Sequence, residues 1–165
     1  MLVRLIGFGI LAYGVYMLTS QQARTAIISS YDTMPEPDAD VDVVARTIWG
    51  EARGEGVTGM TAVANVIANR VAHPGWWGRG WRGVCLAPYQ FSAWNANDPN
   101  LVKLSTVTTA DPSFAAAVEI AAGAVYGTLA DVTGGATHYH TLNIHPAWAD
   151  ELTQTARIGS HVFYA

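Results

Sequence analysis

Two carboxylates stand four residues apart in the stretch Ile48-Trp49-Gly50-Glu51-Ala52-Arg53-Gly54-Glu55-Gly56, at the end of an apolar run. The apolar positions of that run recur with a helical period, at Val41, Val44, Ala45, Ile48 and Ala52. At about 100° per residue, Glu51 falls at the border of this apolar stripe. Gly54 and Gly56 favour a helix end and a tight turn around Glu55. The pattern therefore predicts a helix that carries Glu51 along the edge of the core.

The predicted position of Glu51 has a chemical consequence. Partial desolvation penalises the charged form of a carboxyl group and raises its pKa, which suits a general acid near neutral pH. The alternative is that Glu51 only solvates the C-terminus of its helix, an end that is unfavourable for a carboxylate. The local pattern leaves both interpretations open.

Composition narrows the class of protein. The chain has 165 residues, of which 50% are hydrophobic and 13% charged, so one compact domain with a substantial core is expected. A net charge of -4 and the absence of a basic run argue against nucleic acid as a partner. The single cysteine, Cys85, excludes an internal disulfide and a zinc site built from several cysteines. We expect a monomer.

The N-terminus is typical of an exported protein. Within residues 1–20, Arg4 precedes an uncharged apolar run, which is the layout of a signal anchor or signal peptide. The run is shorter than the ~20 residues that span a bilayer, and Gly7, Gly9 and Gly14 weaken its hydrophobicity. We favour an uncleaved membrane anchor over a cleaved signal, with the remaining chain on the periplasmic or cell-envelope side.

Residues 21–40 are polar and end in an acidic segment that contains Pro35 and Pro37. Residues before proline are extended and the acidic side chains repel one another, so we predict a linker. Asp40 is placed to cap the helix that carries Glu51. The predicted folded domain therefore covers residues 41–165.

Two further helices follow. Thr58 is a plausible N-cap for a helix to about Val71, whose core face comprises Met60, Val63, Ala64, Ile67 and Val71. Asn65 and Asn69 lie on another face, where they either meet solvent or line a groove that contains Glu51. Asp111-Pro112 is typical of a capped helix start, and this helix is expected to stop near Gly127.

The segment between these helices is irregular. Proline and glycines prevent regular structure in residues 73–81. Residues 88–100 form a polar-aromatic loop with stacking faces and hydrogen-bonding groups that suit sugars. The predicted substrate contacts in this loop are Tyr89, Gln90, Ser92 and Trp94.

The C-terminal part predicts a small antiparallel sheet, from strand-like runs at 136–140 and 160–164 that glycines delimit. His138, His140 and His145 raise the possibility of zinc, but no H-E-x-x-H helix accompanies them. We therefore expect no metal and no other cofactor. His138, Tyr139 and His140 are assigned to substrate binding.

Several blocks in order resemble the SleB-type cell-wall hydrolase family, over roughly residues 41–165. The matching blocks are 45–55, 59–70, Gln90-Phe91-Ser92, 135–139, Pro146-Ala147-Trp148 and 158–163. The resemblance implies a lysozyme-like α+β domain that cleaves peptidoglycan between N-acetylmuramic acid and N-acetylglucosamine. It places the catalytic acid at Glu51 and gives Glu55 a structural or supporting role. Val71 departs from the family, some of whose members carry a polar groove residue there.

The reaction type stays open between hydrolysis by a muramidase and lytic transglycosylation. Hydrolysis ordinarily needs a second carboxylate about 5–10 Å from the first, whereas transglycosylation needs only Glu51. Because one glutamate is well supported, we favour transglycosylation. The alternatives are a non-catalytic module that binds peptidoglycan and a zinc-dependent amidase. An endolysin of a phage and a bacterial enzyme of cell-wall remodelling fit the sequence equally well.

Overall fold

The protein is mainly helical with one small sheet, as a computed structural model that describes residues 19–36 and 38–165 shows. The helices are α1 (residues 19–30), α2 (Asp38–Ala52), α3 (Gly56–Ala72), α4 (Gly80–Leu86), α5 (Asn100–Thr106) and α6 (Pro112–Val125). The strands are β1 (His138–Thr141), β2 (Gln154–Ile158) and β3 (His161–Tyr164). This arrangement confirms the predicted α+β class.

Helix α2 lies at the centre of the molecule and packs against α6, α3 and α4. Its apolar stripe is buried, and Val44, Ala45 and Ile48 have no exposed surface. Each fully buried valine or isoleucine contributes about 1.5–3 kcal/mol, so this stripe fixes the position of α2. Trp49 adds a polar link, because its indole N–H donates to Ser113 Oγ of α6 at 2.8 Å.

The sequence predicts the start of α6 correctly and the start of α3 incorrectly. Asp111 caps α6 as predicted, since its Oδ1 accepts from the backbone N–H groups of Ser113 and Phe114 at 2.8 and 3.2 Å. The predicted start of α3 at Thr58 is wrong. The helix begins at Gly56, whose φ of 66° reverses the chain directly after a 3-10 turn over Arg53–Glu55.

The sheet is antiparallel with strand order β1-β3-β2. The pairing of the two predicted strands is confirmed, and Tyr139 of β1 stands opposite Phe163 of β3. Strand β2 was not predicted, because its residues are mostly exposed and give no apolar alternation. Phe163 packs with Ala62 and Val66 of α3, which holds the sheet against the helices.

The extended linker predicted for residues 21–40 is wrong in its first half. Residues 19–30 are helical, and Ile27 and Tyr31 are buried in the main core. The Tyr31 hydroxyl donates to Asp42 of α2 at 3.0 Å. Burial of these two side chains stabilises α1 against the domain, although most residues of the segment are polar.

Asp40 does not cap α2. The helix begins at Asp38, so Asp40 lies in its first turn, where it pairs with Arg82 of α4 at 3.5 Å. The predicted anchor falls mostly on residues 1–18, outside the described residues. Within the described part, no helix is both long and apolar enough to cross a membrane.

Candidate active site

Glu51 lies in the last turn of α2, where three hydrogen-bond donors from distant parts of the chain meet its carboxylate. The backbone N–H of Ala93 and the hydroxyl of Ser92 donate to Oε1 at 2.8 and 3.2 Å. The Tyr139 hydroxyl donates to Oε2 at 3.2 Å. The loop before α5 and strand β1 thus hold both carboxylate oxygens in place.

Burial raises the pKa of Glu51 above its ordinary value of 4.5. The bonds from Ala93, Tyr139 and Ser92 act in the opposite direction, and the charge of Asp98 raises the pKa slightly further. The predicted desolvation is confirmed. A carboxyl group in these surroundings stays protonated to a higher pH than a solvated glutamate does. Its anion is stabilised by the three hydrogen-bond donors.

Tyr139 is a fixed part of this arrangement. Its ring stacks on Phe163 with centroids 5.7 Å apart and meets His161 edge-on. Burial, and then the neighbouring Glu51 carboxylate, raise the pKa of Tyr139 well above 10.0. The phenol therefore stays protonated and acts as a donor to Glu51.

Glu55 has very different surroundings from Glu51, although only four residues separate them. Its carboxylate accepts from the hydroxyl of Ser160 at 2.6 Å and from the Ser160 backbone N–H at 3.1 Å. These bonds, the hydroxyl first, lower the pKa of Glu55. Glu55 thus ties the start of α3 to the turn between β2 and β3. Gly159 forms that turn with a φ of 57°, and a side chain there would collide with the Glu55 carboxylate.

The polar-aromatic loop divides into accessible and buried residues. Tyr89 is 88% exposed and Ser92 faces Glu51. Gln90 accepts from the guanidinium of Arg70 at 3.3 Å, and the same guanidinium donates to Thr137 O at 2.7 Å just before β1. Trp94 is only 3% exposed and its indole donates to Thr47, so its predicted role as a stacking face is wrong.

The two asparagines of α3 bind the loop before the sheet. Asn65 is buried, donates to Ala130 O at 3.1 Å and accepts from the N–H of Val132 at 3.0 Å. The amide of Asn65 is therefore bonded within the protein. Both predicted positions, on a solvated surface and in a groove, are wrong. Asn69 donates to Ala136 O at 3.0 Å, so it too holds this loop.

The three histidines do not converge on one point. His140 is buried, with its ring nitrogens bonded to Tyr164 Oη at 3.0 Å and Thr141 O at 2.8 Å. Because side chains alternate along a strand, His140 faces away from Tyr139 and lies beside Trp148, and its predicted substrate contact stays a prediction. His145 bonds to Asp150 at 2.8 Å. Among the described residues, no group of three His, Cys, Asp or Glu side chains is placed to hold a metal ion.

His138 belongs to an aromatic cluster that the sequence did not assign to the site. Its ring lies 5.8 Å from that of Trp77, 6.2 Å from that of Trp76 and 5.1 Å from that of Trp148. Trp76 is 72% exposed. The adjacent Trp76 and Trp77 indicate aromatic side chains near one another, but nothing in the sequence shows that these rings contact β1.

The fold and the site define a small α+β domain built around one half-buried glutamate. The sequence pattern of the cell wall hydrolase family matches residues 54–164, which begin three residues after Glu51. The chain therefore belongs to the cell wall hydrolase family.

Three similar proteins are informative. The spore cortex-lytic enzyme of Halalkalibacterium halodurans is 33% identical over 129 residues, which cover 76% of this chain and 34% of that protein. The chain thus spans about a third of that relative's length. Among solved structures, the catalytic domain of the germination-specific lytic transglycosylase SleB from Bacillus anthracis matches with a TM-score of 0.59 and 27% identity. That match covers 80% of this chain and all of the SleB domain. The catalytic domain of Bacillus cereus SleB gives a TM-score of 0.58 at 27% identity, over 80% and 95% of the two chains.

Proposed function

We propose that this protein cleaves the glycan strands of peptidoglycan between N-acetylmuramic acid and N-acetylglucosamine, with Glu51 as the acid and base. The observation that carries the proposal is the Glu51 carboxyl group, half-buried, raised in pKa and held by donors from Ser92, Ala93 and Tyr139. Membership of the cell wall hydrolase family and the likeness to SleB catalytic domains support it.

The first step requires the protonated form of Glu51, which burial favours by raising the pKa of this carboxyl group. Glu51 transfers this proton to the glycosidic oxygen while the bond to the anomeric carbon breaks and an oxocarbenium-like centre develops. The negative charge left on Glu51 is stabilised by the Ala93 N–H and the hydroxyls of Ser92 and Tyr139, which already point at it.

The second step distinguishes transglycosylation from hydrolysis, and we propose transglycosylation. The 6-hydroxyl of the muramic acid attacks the anomeric carbon and returns its proton to Glu51, so that no second carboxylate is required. Glu55 is engaged with Ser160. Asp98, the other nearby carboxylate, accepts from the N–H of Asn100 at 2.7 Å and stabilises its own loop.

Product analysis of digested, purified cell walls tests this proposal. Transglycosylation leaves 1,6-anhydromuramic ends, one water lighter by mass spectrometry than the reducing ends that hydrolysis produces. We expect anhydro ends, unchanged in Asp98→Asn. Reducing ends that disappear in Asp98→Asn contradict transglycosylation, and the absence of soluble glycan fragments contradicts the enzyme and favours a binding module. Release of free peptides that stops with chelators indicates an amidase.

The location of the protein is a further part of the proposal. Residues 1–20 act as an export signal or anchor, and the domain works as a monomer on the envelope side of the membrane. The apolar run behind Arg4 supports this. Separation of membranes from the soluble fraction tests it, and a full-length protein that stays in the cytoplasm contradicts it.

A further inference from the structure

A cavity of about 470 Å³ lies between α1 and the polar-aromatic loop. Gln21 and Arg24 line it from the helix, and Tyr89, Asn95 and Asn97 line it from the loop. Its volume lies within the range of about 300–1,000 Å³ that small-ligand sites occupy. The residues of α1 that line this cavity lie outside residues 54–164, the range that the family pattern covers.

The cavity lies next to the Glu51 site. Trp94, between the two, accepts from Arg24 Nε at its carbonyl at 3.0 Å and donates from its indole to Thr47 at 2.9 Å. Thr47 precedes Glu51 by one helical turn. Ala93, which binds Glu51, and Asn95, which lines the cavity, are two residues apart, so their Cα atoms are at most about 8 Å from each other.

The chemistry of the cavity suits an anion. Within the described part of the chain, no carboxylate lies within salt-bridge distance of Arg24, whereas Arg46 and Arg82 each have an acidic partner. Asn95 and Asn97 add amide groups to the same cavity. Guanidinium and amide donors together match a carboxylate.

Tyr89 supplies a second observation at the same cavity. It is the one residue other than glycine, among the described residues, with a positive φ, at 63°. This backbone conformation is unfavourable for a residue with a side chain. The ring of Tyr89 is 88% exposed and lines the cavity, where it can cover a bound group.

We propose that this cavity binds a free carboxylate of the peptide stem of peptidoglycan, beside the glycan bond that Glu51 cleaves. The inference rests on the proposed function. The N-acetylated sugars are neutral where the lactyl group is linked to a peptide, so the negative charges near the glycan come from the peptide. Arg24 and the two asparagines hold this carboxylate, and α1 thereby contributes to substrate selection.

A charge introduced at Gln21 tests the proposal without removing the Arg24 bond to Trp94. Gln21 lies three residues before Arg24 on one face of α1, so the carboxylate of Gln21→Glu competes for the guanidinium. Gln22→Glu is the matched control, because Gln22 is exposed on the same helix, does not line the cavity and changes the net charge equally. Both variants and the natural protein are assayed by kcat/KM on native cell walls and on cell walls whose carboxylates have been amidated.

On native walls, Gln21→Glu should lower kcat/KM about two- to fivefold relative to Gln22→Glu, the effect of one exposed charge pair. On amidated walls the two variants should be equal. Equal values on native walls contradict the inference. A difference that persists on amidated walls also contradicts it, because Gln21→Glu then acts without a wall carboxylate. If the natural protein releases no glycan from either substrate, the proposed function fails first.

Discussion

Glu51 and Glu55 stand one helical turn apart and yet meet opposite surroundings. Glu51 belongs to the buried end of α2, and burial raises its pKa despite three hydrogen bonds. Glu55 follows the helix end, stays accessible and has its pKa lowered by Ser160. The difference arises because the chain leaves α2 at Ala52 and turns through Arg53–Glu55 before α3 begins.

A single turn between α2 and α3 gives the two carboxylates different surroundings. Arg53 stabilises this turn, since its guanidinium stacks on Trp49 at 4.3 Å and donates to Asn100 at 2.6 Å. Glu51, whose pKa burial raises, faces the loop and β1, and Glu55, whose pKa is lowered, connects α3 to the sheet. Burial of Glu51 and the Ser160 hydrogen bonds of Glu55 thus shift the two pKa values in opposite directions, as the proposed roles of a general acid and a structural carboxylate require.

The largest effect is expected when the buried member of the pair is changed. Glu51→Gln removes the proton donor while preserving shape, so cell-wall cleavage should fall about 10²–10⁴-fold. Release of soluble glycan from purified walls measures this. Activity within tenfold of the natural protein would remove Glu51 from the acid role, provided that circular dichroism shows an intact fold.

Removal of one donor to Glu51 should have a smaller effect. Tyr139→Phe deletes the bond to Oε2, which costs the Glu51 anion about 1.5 kcal/mol, and the rate should fall about tenfold. Since that bond lowers the pKa of Glu51, the high-pH limb of the kcat profile should move to higher pH. Tyr126→Phe is the control, because Tyr126 is 61% exposed at the end of α6. An unchanged profile in Tyr139→Phe would contradict the assigned contact.

The smallest effect on activity is expected at the accessible member of the pair. Glu55→Gln should keep activity within tenfold of the natural protein but lower its melting temperature at neutral pH. The lowered pKa of Glu55 gives stability that is present above its ordinary 4.5 and lost as the pH falls through the lowered value. The two proteins should therefore melt alike in strong acid. A loss of activity greater than that of Glu51→Gln would reverse the two roles.

The sequence was sufficient for the parts of the molecule that local patterns determine. The stripe from Val44 to Ile48 predicted α2 and the desolvation of Glu51, and the Asp111-Pro112 pair predicted the start of α6. Short strands bounded by glycines predicted the pairing of β1 and β3. Each of these features depends on residues that are neighbours along the chain.

The parts that were not predicted depend on contacts between distant residues. The residue type of Trp94 predicts a substrate contact in the polar-aromatic loop, but its indole is buried against Thr47. The spacing of Asn65 predicts a position on the surface or in the groove, but the loop at Ala130 covers this side chain. The polar composition around Ile27 and Tyr31 predicts a linker, but both side chains are buried and residues 19–30 are helical. Burial of this kind depends on the packing of the whole domain.

Titration of the two glutamates in the folded protein tests the proposed division of roles most directly. Carbon-13 NMR of glutamate-labelled protein resolves the side-chain carboxyl signals, and Glu51→Gln and Glu55→Gln assign them. Glu51 should titrate above 4.5 and Glu55 below it. A Glu51 that titrates at or below Glu55 would show that burial does not hold its proton, and would contradict its assignment as the acid.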